Sequence, residues 1–235
     1  MNKKINELKN SDEPSIRFKI FVNVLGVKVE SPDIKKLQQE IKSSQRVRLL
    51  LSERDNNGKI PFHPYSKWYG AHWVLATLAD IGYPPGDTTL IPLREQVYNW
   101  LFSSEHERKI ISIAGRVRRC ASQEGNTLYY LLKLGLANDQ TEALAERLMK
   151  WQWPDGGWNC DKNPDATNSS FMESLIPLRG LALYAKLTDN EAAKTAARNT
   201  AEVFLKREIY KIKSTKWWKK EDFIELHYPC YWRYD

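Results

Sequence analysis

Cysteine is scarce in this chain: its 235 residues include three cysteines, Cys120, Cys160 and Cys230, which stand far apart. A small, odd and scattered set argues against a disulfide-stapled scaffold and favours a reducing compartment. Long apolar runs are also missing. No stretch approaches the roughly 20 apolar residues that a membrane-spanning helix needs, and the first twenty residues are charged throughout, unlike a signal peptide. We therefore expect a cytoplasmic protein.

Acidic residues are fewer than basic ones, 29 Asp and Glu against 36 Lys and Arg, which gives a formal net charge of +7 at pH 7. This excess favours anionic partners such as a diphosphate, an acidic membrane surface or a nucleic acid, and charge alone does not separate them. The chain also has 9 Trp and 11 Tyr, many for its length. They indicate either an aromatic helical core or an aromatic-walled ligand cavity.

Helical signals run along most of the sequence. Residues 1–11 are polar, and we expect them to fray. Apolar residues at four-residue spacing predict a short helix over 14–25, with a strand as the alternative. Ser31, Pro32 and Asp33 predict a helix start, and that helical stretch should end near residues 55–58. We take residues 1–58 as an N-terminal helical section.

From residue 59 onward the helices recur in pairs, which we interpret as a repeat domain over 59–235. Similar apolar and glycine patterns return at intervals of about fifty residues, as in repeat architectures whose hairpins must stack to bury their apolar faces. The predicted pairs form hairpins at 67–102, 126–158 and 170–209, followed by the start of a further repeat. The predicted helices are 67–82 and 91–102, 126–136 and 141–151, and 170–187 and 192–209.

An aromatic turn between two helices carries a family resemblance. Gln152 ends one helix, Asp155-Gly156-Gly157 can form a tight turn, and Trp158 follows. Leu148 and Gln152 with Gly156 and Trp158 resemble the QW repeat of squalene-hopene and oxidosqualene cyclases. The DGGW run also resembles the β subunits of protein prenyltransferases.

The resemblance implies an all-α fold, an α/α toroid in which helical hairpins ring an aromatic-lined cavity. It implies that Gln152 and Trp158 tie neighbouring hairpins together. Independently of the resemblance, we expect Asp155 to bond the backbone of its own turn, because Asp commonly does so in DGG turns. Related toroids use more hairpins than the three counted in this sequence. We therefore expect an incomplete ring: a truncated chain, an interrupted gene, or an arc completed by another chain. Its apolar edge would favour self-association.

The catalytic motifs of these families are missing or altered in this chain. It has neither the Asp-x-Asp-Asp run of the cyclases nor the Asp-Asp-x-x-Asp motif of ionisation-type terpene synthases. Prenyltransferases hold zinc through an Asp-x-Cys pair and a later His, which would fall on Asp165, Thr167 and His227. Thr167 replaces the thiolate, and a neutral hydroxyl binds zinc poorly. We predict no cofactor, with zinc at Asp165 and His227 as the alternative and Cys160 or Cys230 as substitute ligands.

Several polar and aromatic residues are candidates for a site in the implied cavity. The candidate catalytic residues are His72, Asp165, Glu173 and His227. His72 is otherwise a hydrogen-bonded core histidine, and Glu173 is otherwise part of a capping box. The candidate ligand-binding residues are Trp68, Trp73, Arg118, Arg119, Tyr228 and Trp232. Arg116, Arg118 and Arg119 would suit a diphosphate, although such runs are usually solvated.

Trp217 and Trp218 stand between lysines, a composition typical of membrane-interface contacts. An insert packed on the ring is the slightly favoured explanation, and a nucleic-acid surface is the least favoured interpretation. The leading hypothesis is a prenyltransferase- or terpene-cyclase-like protein that binds an isoprenoid or other apolar ligand. The alternative is a non-catalytic α/α-toroid binding or assembly module. The sequence does not decide whether the protein is an enzyme.

Overall fold

The computed structural model describes residues 3–209, together with short strands at 211–213 and 216–217. This part of the chain is mostly helical, which confirms the all-α prediction. The helices are α1 (Lys3–Lys9), α2 (Pro14–Lys19), α3 (Pro32–Lys42), α4 (Gln45–Leu50), α5 (Ala71–Ile81), α6 (Ile91–Leu101), α7 (Ser104–Arg108), α8 (Ala121–Lys133), α9 (Asp139–Trp151), α10 (Phe171–Thr188) and α11 (Glu191–Leu205). The strands form two antiparallel pairs, β1 (Ile111–Ile113) with β2 (Arg116–Arg118) and β3 (Lys211–Lys213) with β4 (Lys216–Trp217).

The chain divides into two compact units. The first ends at Trp100 and also includes Tyr130–Ala137, and the second comprises Leu101–Tyr129 and the chain from Asn138 onward. Each unit is described by itself below. The division into an N-terminal section and a repeat domain stays a prediction.

In the first unit, α3 begins where its sequence predicts. Ser31 has extended backbone angles, and Pro32 occupies the first helical turn, where a missing N–H costs nothing. Ile34, Leu37 and Ile41 are buried at helical spacing and form the inner face of α3. The predicted helix over 14–25 is also present, as α2 followed by a π-helical turn at Ile20–Val24.

The helix predicted over 67–82 begins four residues late. Residues 66–70 form turns instead, and Gly70 lies so close to the chain that an added Cβ would be 2.3 Å from the Pro64 carbonyl oxygen. Trp68 adopts a left-handed backbone angle, with φ of 73°. Helix α5 therefore starts at Ala71 and ends at Gly82, whose φ of 87° closes it.

In the second unit, the segment between the predicted helices 91–102 and 126–136 is not a plain loop. Residues 111–118 form the β1–β2 hairpin, and α8 begins at Ala121. Ala114 and Gly115 both have positive φ, which matches the two-residue turns that suit the twist of a β-hairpin. Periodicity alone missed this hairpin because each strand has three residues.

Close packing in the second unit involves α8, α10 and α11. A Cβ at Gly125 of α8 would lie 2.6 Å from Pro177 Cα in α10, so glycine permits this close approach. Phe171 of α10 stacks on Phe204 of α11 with ring centroids 5.0 Å apart, and both rings are buried with Val203. The predicted helices 141–151, 170–187 and 192–209 correspond to α9, α10 and α11.

Candidate functional site

The aromatic turn after α9 connects three helices of the second unit. The Gln152 amide nitrogen, Nε2, donates to the Gly156 and Ala196 carbonyl oxygens at 2.9 and 2.8 Å and to Thr200 Oγ1 at 3.0 Å. Trp158 is 1% exposed, and its indole nitrogen donates to the Leu148 carbonyl at 3.1 Å. Gln152 thus joins the turn to α11, and Trp158 joins it to α9.

Asp155 reaches beyond its own turn. Its carboxylate accepts hydrogen bonds from the Ser169 backbone N–H at 2.7 Å and from the Ser169 hydroxyl at 2.5 Å. Arg207 Nη2 lies 3.7 Å from the same carboxylate. The tertiary fold therefore uses Asp155 to hold the residues just before α10.

Glu173 lies in a cluster with two cysteines rather than at a simple helix cap. The Cys120 and Cys160 sulfurs and a Glu173 carboxylate oxygen all lie within 4.8 Å of one another. Cys160 Sγ is 3.7 Å from Glu173 Oε1, while the Ser122 backbone N–H donates to Glu173 Oε2 at 3.1 Å. No other trio of potential metal ligands occurs among the described residues. This trio can hold a metal ion.

Proton sharing governs the electrostatics of this cluster. A hydrogen bond to Cys160 and burial raise the pKa of the Cys120 thiol. The same hydrogen bond, now stabilising a thiolate, lowers the pKa of Cys160. Burial raises the pKa of Glu173, against the lowering effect of the Ser122 hydrogen bond. Three acidic groups in a partly buried space cannot all ionise without a compensating positive charge.

The sequence interpretation missed this cluster. It treated the cysteines as scattered and considered Cys160 only as a substitute ligand beside Asp165 and His227. Cys160 lies in the loop before α10 and Glu173 lies in the first turn of α10, so their closeness in the sequence was only a weak signal of a shared site. Cys120 lies before α8, far upstream, and only tertiary folding brings it to the other two.

The predicted basic cluster is not a solvated run. Arg118 is 2% exposed, its guanidinium lies 4.4 Å from the Trp153 ring centroid, and its Nη1 donates to the Ala166 carbonyl at 3.0 Å. Arg119 Nη2 donates to Gln123 Oε1 at 2.8 Å and lies 3.0 Å from His106 Nδ1. The expectation that arginines in such a run are solvated is therefore wrong for Arg118.

A buried hydrogen-bonded pair that the sequence interpretation also missed lies beside Arg119. His106 and Glu124 are 1% and 0% exposed, and His106 Nε2 is 2.8 Å from Glu124 Oε1. Arg147 Nη1 lies 3.7 Å from the same Glu124 oxygen. A buried carboxylate persists when it is paired and hydrogen-bonded, so Arg147 and His106 give the buried position of Glu124 a structural explanation.

In the first unit, His72 lies inside an aromatic cluster. Its ring is 1% exposed and lies 5.4, 5.3, 5.7 and 5.5 Å, between centroids, from the rings of Tyr65, Trp73, Trp100 and Tyr130. The Tyr130 hydroxyl is 3.3 Å from His72 Nδ1. Burial lowers the pKa of His72 from 6.5 to about 3. The imidazole is therefore neutral at pH 7.

This aromatic cluster continues to the surface of the first unit. Trp68 is 40% exposed and packs on Trp73 with ring centroids 4.9 Å apart. Tyr69 and Phe62 are 65% and 42% exposed and meet edge to face at 6.3 Å. We call these rings, together with those around His72, the aromatic array; its members are Phe62, Tyr65, Trp68, Tyr69, Trp73, Trp100 and Tyr130.

The remaining predicted site residues are exposed or lie outside the described residues. Asp165 is exposed in the loop before α10, where its backbone N–H donates to Asn163 Oδ1 at 3.0 Å. Five predicted residues lie outside the described part of the chain, as does the Trp217 side chain: His227, Tyr228, Cys230, Trp232 and Trp218. Zinc at Asp165 and His227 therefore stays a prediction.

Membrane-spanning potential and similarity to known proteins complete the description of the chain. Within the described residues, every helix is too short or too polar to cross a membrane. Searches against protein-family models, curated proteins and solved structures return no match. The family resemblance therefore depends on the motif residues themselves.

Proposed function

We propose that this chain is an α/α-toroid protein related to terpenoid cyclases and protein prenyltransferases, and that it binds an isoprenoid or another apolar, unsaturated molecule. The aromatic array is the observation that carries the proposal. The paired helices and the bonds that Gln152 and Trp158 make at the aromatic turn support the toroid arrangement.

The exposed end of the array has the chemistry of a polyene-binding surface. Trp68 presents a large apolar ring to solvent, Tyr69 and Phe62 present a second pair of exposed rings that contact each other, and exposed aromatic rings mark interaction sites. Trp68 also keeps a positive φ, which costs a bulky residue about 1–2 kcal/mol. Strain of this kind concentrates at functional positions.

The buried end of the array suits positive charge that develops on a hydrocarbon. The faces of Trp and Tyr rings attract cations. The His72 imidazole is neutral at pH 7, so it can accept a proton and is a poor proton donor. This chemistry fits the deprotonation of a carbocation better than the protonation of an alkene.

Ligand binding by the intact protein tests the proposal. Farnesyl diphosphate, geranylgeranyl diphosphate and squalene are titrated separately, with calorimetry and thermal shift as readouts. Squalene carries no diphosphate, so it tests the aromatic and apolar contribution by itself. We expect saturable binding and a raised melting temperature with at least one of the three.

Two variants locate the binding surface. Trp68→Ala should weaken binding by about tenfold or more, since a buried aromatic contact contributes well over 1.4 kcal/mol. Leu49→Ala, at a leucine of the same unit that is 65% exposed, should bind like the unaltered protein. Failure of all three ligands to bind, or equal binding by Trp68→Ala, would refute the proposal.

The second candidate function is a non-catalytic binding or assembly module. The missing Asp-x-Asp-Asp run and the Thr at position 167 favour it. Product analysis after incubation with the same ligands separates the two functions. Binding with no new product supports the module, and a cyclised or transferred product supports the enzyme. Size-exclusion chromatography with light scattering tests the predicted self-association.

A further inference from the structure

We propose that Cys120, Cys160 and Glu173 form a binding site for one zinc ion. The inference does not depend on the aromatic array or on an isoprenoid ligand. It also differs from the zinc position that the family resemblance implies, since neither Asp165 nor His227 takes part in it.

The spacing of the three ligand atoms fits zinc. Zn–S and Zn–O distances of about 2.3 and 2.0 Å place tetrahedral S and O ligands about 3.5 Å apart, and two S ligands about 3.8 Å apart. The Cys160 Sγ to Glu173 Oε1 distance is 3.7 Å, and all three ligand atoms lie within 4.8 Å of one another. Small side-chain rotations are enough to bring the three atoms onto three of the four tetrahedral positions, and a water molecule would take the fourth.

The carboxylate is already oriented for one-oxygen ligation. The Ser122 backbone N–H holds Glu173 Oε2 at 3.1 Å, which leaves Oε1 toward the cysteines. A hydrogen-bonded ligand of this kind is typical of metal sites, where outer groups fix the geometry of the ligands. Glu173 sits in the first turn of α10, and Cys120 directly precedes α8, so two helix starts position the ligands.

The ligand types, two cysteine sulfurs and one carboxylate, favour zinc. Two sulfurs favour borderline or soft ions such as Zn²⁺ over Mg²⁺ and Ca²⁺, which prefer oxygen. A dication also supplies the positive charge that lets both thiols and the carboxyl ionise together. Binding should therefore release protons and strengthen as pH rises.

Metal analysis of the full chain, purified under reducing conditions and loaded with zinc, tests the site. We expect about one zinc per chain by mass spectrometry of the native protein. Cobalt loading should give a thiolate-to-metal charge-transfer band. Cys120→Ser and Cys160→Ser should each lower the zinc content and remove at least half of that band, because each removes one of the two sulfur ligands. Glu173→Gln should weaken zinc binding at least tenfold.

Cys230→Ser is the matched cysteine control and should retain the metal, and circular dichroism checks that each variant folds. Alkylation of the unaltered protein needs no variant: zinc should protect Cys120 and Cys160 from the reagent. The proposal is wrong if zinc leaves Cys230→Ser instead of the other two variants, or if zinc protects neither cysteine. A Cys120–Cys160 disulfide that persists under reducing conditions, detected as a mass lower by two hydrogens, would also overturn it.

Discussion

At the scale of single residues, the Gln152 amide ties the aromatic turn to α11 in the second unit. It donates to two backbone carbonyls and one hydroxyl, and two of these acceptors belong to α11. Removing it leaves acceptors without a donor in a partly buried place. Such losses cost about 1–3 kcal/mol.

Gln152→Ala should therefore lower the free energy of unfolding by about 1–3 kcal/mol. Urea denaturation followed by circular dichroism measures the change. Gln39→Ala, at an exposed glutamine in α3, is the control and should change stability by less than about 0.5 kcal/mol. Equal effects of the two substitutions would contradict the role of Gln152.

His72 predicts a pH dependence of stability. Its pKa is 6.5 when unfolded and about 3 in the folded protein, because burial excludes the charged form. Above pH 6.5 the ring is neutral in both states. As pH falls below 6.5, only the unfolded chain gains the proton, so stability falls by up to about 1.4 kcal/mol per pH unit until the folded pKa is reached.

His72→Gln removes this titration. Between pH 6.5 and 5 the unaltered protein should lose about 1.5 kcal/mol more stability than the variant. Denaturant titrations at several pH values give the two slopes. The Gln39→Ala control removes no titratable group and should keep the slope of the unaltered protein. Parallel slopes for His72→Gln and the unaltered protein would refute the assignment.

At the scale of elements, the aromatic turn packs directly on α11. Gly156 has φ of 103°, and a Cβ there would lie 2.4 Å from the Asn199 carbonyl oxygen. Gly115 in the β1–β2 turn has φ of 71°, but its Cβ would meet nothing within 4 Å. Comparing substitutions at Gly156 and Gly115 therefore separates the cost of backbone strain from the cost of steric contact between the turn and α11.

Gly115→Ala should cost about 1–2 kcal/mol, the cost of the left-handed backbone alone. Gly156→Ala should cost clearly more, about 3 kcal/mol or above, because the turn or α11 must also move. Urea denaturation of the two variants measures the difference. Equal losses would show that the turn can shift away from α11 at little cost.

At the scale of the whole molecule, the net charge of +7 predicts binding to anionic surfaces. Trp217 and Trp218 with their neighbouring lysines would supply the apolar contact. The protein should sediment with vesicles that contain phosphatidylserine and not with phosphatidylcholine vesicles, and about 0.5 M salt should release it. Alanine at both tryptophans should weaken the association, and the Leu49→Ala control should not. Sedimentation with neither vesicle type would contradict the predicted membrane contact.

The sequence by itself determined the helical class and most helix positions. Regular apolar spacing and breakers such as Pro32 and Gly82 act over a few neighbouring residues, so they can be interpreted without the fold. The same local rules missed the β1–β2 hairpin and the early start of α8. Short strands carry too few residues to show a period. The nearness of Cys120 to Cys160 and Glu173 also left no local signal, because Cys120 lies far from the other two in the sequence.

Only the tertiary structure decided which polar residues meet. It placed Cys120 beside Cys160 and Glu173, buried Arg118 against Trp153, and enclosed His72 in aromatic rings. Each of these contacts joins residues from different elements, and hydrophobic burial fixes the packing of those elements without regard to sequence distance. The spacing of residues along the chain sets a helix face, whereas packing sets the neighbours of that face, and those neighbours determine the chemistry of the site.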